Sequence, residues 1–145
     1  MLRVFIADDS EAVRERLREL VSEVDSVKVV GEAGDGAEAL EGIVDCQPHV
    51  VILDIRMPQF NGFDVLDLLA GEESRPVIIV LTAFAYRQYR ERCLEAGATY
   101  FFDKATEFEQ IAGVLGGLRS GEVTSLQKSV APACERVEVI DSKGD

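Results

Sequence analysis

The chain has 145 residues, 47% of them hydrophobic, which is enough for one domain with an ordinary core and too few for a second complete one. Its 27 acidic residues against 15 basic ones give a net charge of −12, which repels nucleic-acid backbones and anionic membranes. No apolar run reaches the ~20 residues of a membrane span. The start MLRVFIADDS is too briefly apolar to be a signal peptide, so a cytoplasmic protein is expected.

The first apolar run, LRVFIA at 2–7, is short and rich in strand-forming residues, and it ends directly on Asp8, Asp9 and Ser10. Val13, Leu17, Leu20, Val21 and Val24 then fall on one face of a helix, with Glu11, Arg14, Glu15, Arg18 and Glu19 spread over the rest. A second strand, VKVVGEA at 27–33, runs into GEAGDG, whose glycines have the wrong spacing for a dinucleotide-binding loop and read as a turn. A helix over 36–46 follows, then the strand HVVILD at 49–54, a helix over 62–70, the strand PVIIVLT at 76–82, a helix over 85–96, the strand TYFFD at 99–103 and a helix over 106–119. From residue 120 to 145 the pattern dissolves, and a flexible tail is expected. Cys46, Cys93 and Cys134 lack metal-ligand spacing and are expected to be reduced packing residues.

Five strands alternating with five helices predict an α/β fold with a parallel sheet between helical layers, because parallel neighbours need crossovers. In such sheets ligands bind beyond the carboxyl ends of the strands. Those ends carry Asp8 and Asp9, then Asp54, Thr82 and Lys104. Ser10 alone would suffice to cap the helix that follows Asp9. Two unit charges ~4 Å apart repel by roughly 4 kcal/mol at an effective dielectric of about 20, a cost that a bound cation would cancel. Three converging carboxylates suit Mg²⁺, and a hydroxyl and an ammonium facing them suit phosphoryl oxygens. Asp54, last on a central strand, is the candidate nucleophile for an aspartyl-phosphate. His49, the single histidine, stands at the opposite end of its strand and reads as structural.

ADDS at 7–10, LDIRMP at 53–58 with Gly62 beyond it, LTA at 81–83, EAGA at 95–98 and FFDK at 101–104 together resemble the receiver domain of two-component response regulators over residues 1–119. The resemblance implies a three-layer, doubly wound (βα)5 fold of flavodoxin-like strand order 2-1-3-4-5. It implies that Asp54 accepts a phosphoryl group from a histidine kinase or histidine phosphotransfer protein. Mg²⁺ would be bound by Asp8, Asp9, Asp54 and the backbone carbonyl of Arg56. Thr82 and Lys104 match the switch hydroxyl and the family's lysine, and Phe101 matches the switch aromatic. Arg56 and Phe84 occupy positions that modulate phosphoryl loss in the family; read alone they are solvated surface. Many receivers have a cis-joined proline after the lysine, where this chain has Ala105. A cis bond to a non-proline costs ~3 kcal/mol, which leaves a trans bond with a rearranged loop or a strained cis bond.

The expected function is a phosphorylation-activated switch that catalyses its own phosphorylation and dephosphorylation and is not otherwise an enzyme. Tyr86, Tyr89 and Arg90 are candidates for its contacts with a downstream protein or with a second copy in a dimer. A stand-alone receiver without direct nucleic-acid or membrane binding is favoured. The rivals are the receiver half of a DNA-binding transcriptional regulator and a pseudo-receiver that binds without phosphorylation. A dehalogenase-type phosphatase is disfavoured, because its acid/base aspartate would stand where Arg56 does.

Overall fold

The computed structural model describes residues 1–59, 61–71 and 75–119; the tail expected over 120–145 lies outside them. Among these residues five strands and five helices alternate: β1 Leu2–Ala7, α1 Glu11–Ser22, β2 Val27–Ala33, α2 Gly36–Cys46, β3 Val50–Leu53, α3 Gly62–Leu69, β4 Val77–Thr82, α4 Arg87–Glu95, β5 Tyr100–Asp103 and α5 Gln110–Gly117. All strand pairs are parallel, in the order β2-β1-β3-β4-β5. The parallel sheet between helical layers expected from the alternation is therefore present, in the flavodoxin-like strand order that the resemblance implied.

Strand alternation decides which helix covers which face. Val4, Ile6, Ile52, Ile79 and Leu81 pack under α1 and α5 through Leu17, Val21, Ile111 and Leu115. Phe5, Ala7, Val51, Leu53, Ile78 and Val80 face α2, α3 and α4 through Ile43, Leu66 and Cys93. β1, β3 and β4 are buried along their whole length, as central strands of a doubly covered sheet must be. Phe5 is wedged between two glycines: a Cβ at Gly31 or Gly42 would come within 2.7 or 2.6 Å of its ring.

Helix starts follow local chemistry. Ser10, Asp35 and Asn61 cap α1, α2 and α3 by accepting backbone N–H bonds from Val13, Glu38 and Asp64. α5 begins at Gln110 and not near 106, because the Asp103 carboxylate accepts the Ala105 N–H at 2.8 Å and the Glu107 carboxylate accepts the Asp103 N–H at 2.9 Å. Those bonds hold 103–107 as a turn. The described residues contain no cis peptide, so the Lys104–Ala105 bond is trans with a loop of its own.

α4 is fastened lightly, since Cys93 alone of its residues is buried. That thiol is free, and burial pushes its pKa up to about 11. It is the packing residue expected. Cys46, which closes α2, is buried at the rim of the core; Cys134 lies outside the described residues.

Candidate functional site

The carboxyl ends of β1, β3, β4 and β5 meet at one rim, and the residues just beyond them are those singled out in the sequence. β1 delivers Asp8, whose N–H bonds to Ala33 O at 3.0 Å. Its carboxylate accepts the Ser10 N–H at 2.9 Å. β3 delivers Asp54, whose N–H donates to Ala7 O at 2.9 Å. Asp8 and Asp54 are buried, and Asp9 is exposed at the mouth. One carboxylate oxygen from each of the three lies within 4.8 Å of the others. Hard oxygens at that separation can be spanned by one small divalent cation, so the residues present fit Mg²⁺.

β5 ends on the counter-charge. Lys104 Nζ lies 2.9 Å from Asp8 Oδ2 and 3.1 Å from Asp54 Oδ2, bridging the two buried acids. Burial opposes the ammonium, but its hydrogen bond to Asp8 and the charge of Asp54 outweigh that, and the Lys104 pKa is raised. The Asp54 pKa is raised as well, first by burial and then by the like charge of Asp8, with Lys104 pulling the other way. One cation against three acids leaves the site negative.

Asp54 Oδ1 also faces the Arg56 N–H at 3.4 Å. The loop after β3 folds back tightly: the Gly62 N–H donates to Ile55 O at 2.7 Å, and a Cβ at Gly62 would stand 2.5 Å from Asp54 O. No larger residue lets α3 start so close to the acid. Beside Lys104 a cavity of about 390 Å³ opens, lined by Arg16, Ala105, Thr106, Phe108 and Glu109.

Thr82 is fully buried at the end of β4, and its Oγ1 accepts the Phe84 N–H at 3.0 Å. Its own proton remains free to donate. Phe101, which matches the family's switch aromatic, is 4% exposed and lies inside. Arg90 reaches its carbonyl at 3.4 Å, with the guanidinium 5.6 Å from the ring centre. Arg56 and Phe84 are not independent surface residues, since the guanidinium lies 4.5 Å from the Phe84 ring centre. Phe84 meets Tyr86, Tyr86 meets Tyr89, and Tyr89 meets Phe63 edge-on. This aromatic row leads from the acidic rim to α4 and was not visible in sequence spacing. Tyr86 and Arg90 are exposed, Tyr89 half-buried.

His49 lies at the far end of the sheet, where its Nδ1 accepts the Arg3 N–H at 3.0 Å, in keeping with a structural role. Among the described residues no helix is long and apolar enough to cross a membrane.

Residues 4–115 match the family described as the response regulator receiver domain. The chain is 38% identical over 138 residues to the transcriptional regulatory protein PdtaR of Mycobacterium tuberculosis, covering 94% of this chain and 66% of the relative. It is 34% identical over 139 residues to an uncharacterized response regulatory protein of Yersinia pestis, covering 94% and 57%. The chain thus spans less than two thirds of the length of these curated relatives. Among solved structures it resembles the response regulator domain of Thermotoga maritima CheB, with a TM-score of 0.73 at 30% identity over 83% of this chain and 95% of that one. It also resembles the receiver domain of the putative response regulator NarL from Mycobacterium tuberculosis, with a TM-score of 0.74 at 34% identity, covering 81% and 96%.

Proposed function

The chain belongs to the response regulator receiver domain family, and from that premise we propose that it is a signalling switch phosphorylated on Asp54. The observation that carries the assignment is the bridge from Lys104 to Asp8 and Asp54, inside a cluster of three carboxylates at the strand ends. In the proposed reaction an Asp54 carboxylate oxygen attacks the phosphorus of a phosphohistidine on a histidine kinase or phosphotransfer protein. The P–N bond breaks, the imidazole leaves with the electron pair, and an acyl phosphate forms. Mg²⁺ held by Asp8, Asp9, Asp54 and the Arg56 carbonyl would supply charge neutralisation for the phosphoryl oxygens. Lys104 is placed to transfer its ammonium from the carboxylates to a phosphoryl oxygen, and Thr82 to give its free hydroxyl proton to another. Loss of the group by hydrolysis regenerates the carboxylate, and these two self-catalysed steps are its only proposed chemistry.

Phosphorylation acts by shifting populations. When the Thr82 hydroxyl turns to the phosphoryl group, the Phe84 N–H loses its acceptor, and the β4–α4 loop and Phe101 reorganise with it. Tyr86, Tyr89 and Arg90 form the surface that reads out the change to a downstream protein or to a second copy. A charge of −12 supports an output through protein contact and not through direct DNA contact. A second reading, the receiver portion of a longer transcriptional regulator, is supported by the span and printed name of the mycobacterial relative; the length of the encoding open reading frame decides between the two.

The test is incubation with Mg²⁺ and acetyl phosphate followed by intact-mass measurement. Wild type gains one phosphoryl group, and Asp54→Ala gains none. An unmodified wild type overturns the switch, and a modified Asp54→Ala moves the acceptor elsewhere.

A further inference from the structure

Arg14 lies on α1, in a pattern of charges that reads as a solvated helix face, yet its side chain is only 16% exposed. Each part of its guanidinium has a partner. Nη1 donates to the backbone carbonyl of Asp8 at 2.6 Å, Nη2 to Glu11 at 2.6 Å, and Nε to Glu32 on β2 at 3.2 Å. Arg18 donates to the same Glu32 at 2.7 Å but has no bond to Asp8.

The Asp8 carbonyl belongs to the planar peptide that joins Asp8 to Asp9. Fixing that oxygen fixes the plane that carries the Asp9 nitrogen and Cα, the point from which the Asp9 side chain leaves the backbone. Asp9 needs this more than its neighbours do. Lys104 and Ser10 hold the Asp8 carboxylate, and Lys104 and Arg56 hold that of Asp54, whereas Asp9 is exposed. Arg14 and Arg18 are balanced by Glu11 and Glu32, so the four side chains carry no net charge. The backbone is thereby clamped without a positive field facing the acids.

We propose that Arg14 is a positioning residue for the divalent-cation site, setting the Asp9 carboxylate through the Asp8–Asp9 peptide. The proposal rests on the Mg²⁺ reading above. It makes a prediction opposite in sign to simple electrostatics. Removing one positive charge should tighten cation binding at either arginine; loss of the clamp should weaken it at Arg14 alone.

The experiment is calorimetric titration of full-length chain with MgCl₂, comparing wild type, Arg14→Ala and Arg18→Ala, with the metal-free melting temperature of each as a check on folding. Arg14→Ala should bind about tenfold more weakly, the loss typical when a group that orients a metal ligand is removed, while Arg18→Ala stays within about twofold of wild type. Should Arg14→Ala fail to fold, Arg14→Lys carries the test: it keeps the charge, but one nitrogen cannot serve Asp8, Glu11 and Glu32 together, and it too should bind more weakly. Affinity in the folded Arg14 variant equal to or tighter than wild type overturns the proposal, as does an equal loss in Arg18→Ala. A wild type that takes up no Mg²⁺ overturns the metal site itself.

Discussion

Arg3 and Asp54 are both buried charges at an end of the sheet, 6% and 4% exposed, and their surroundings differ in kind. Arg3 stands at the start of β1, where α2 ends in a left-handed turn at Gln47. Its guanidinium donates to the carbonyls of Cys46 and Gln47 at 3.1 and 2.9 Å. These are carbonyls at the negative end of a helix, which have no partner within it. Asp54, at the other end, faces another buried acid and shares a single ammonium with it. One end of the sheet places a charge where the backbone asks for it. The other gathers like charges that a single lysine does not balance, and that residual demand is what the proposed site would use.

Removing the pivot of the acidic end should show the largest stability effect. Lys104→Ala leaves Asp8 and Asp54 facing each other, and in chelator-containing buffer at neutral pH urea unfolding should show a loss of about 3 kcal/mol, the cost of breaking a buried ion pair. Mg²⁺ should restore much of it. The pH dependence has a definite sign: a lysine whose pKa is raised on folding stabilises fully below its ordinary value of 10.5 and loses that contribution as pH rises through the folded value. Wild type should therefore weaken above that pH through a contribution that Lys104→Ala lacks.

Arg3→Ala probes the satisfied end. Leaving the α2 carbonyls without their donor should cost about 2 kcal/mol in the same assay. Phosphoryl uptake per folded molecule should be unchanged, which separates the two ends cleanly.

The smallest effect runs the other way. Asp54→Asn removes a buried charge that repels Asp8 and should stabilise the metal-free protein by about 1 kcal/mol at neutral pH, as expected where function is kept at the expense of stability. Because the Asp54 pKa is raised on folding, wild type loses stability as pH climbs from the ordinary carboxylate value of 3.8 through the folded one. The advantage of the variant should shrink in acid, and a melting series against pH checks this.

Much of this was legible because the signals are local. The Val- and Ile-rich runs placed all five strands within a residue at either end, and a carboxylate or hydroxyl directly after such a run sits at a strand end by construction. The late start of α5 was hidden, since it depends on where the Asp103 and Glu107 side chains turn. Arg14 was hidden for a different reason. Glu11 and Arg14 three apart read as an ordinary surface pair, and nothing in the spacing says that Glu32 and the Asp8 carbonyl come to the same guanidinium. The row from Arg56 through Phe84 to Tyr89 likewise depends on elements brought together from distant parts of the chain.

The light fastening of α4 bears on how such a protein can change over generations. Cys93 alone of this helix is buried, so its exposed positions other than Tyr89, Arg90 and Arg92 can be exchanged at a cost usually within about 0.5 kcal/mol each. The proposed acidic site, by contrast, would tolerate few substitutions, since Asp8, Asp54 and Lys104 are held by one another. A lineage can therefore rewrite which partner it addresses while inheriting the trigger intact, and the division between the two is drawn by which side chains the sheet has buried.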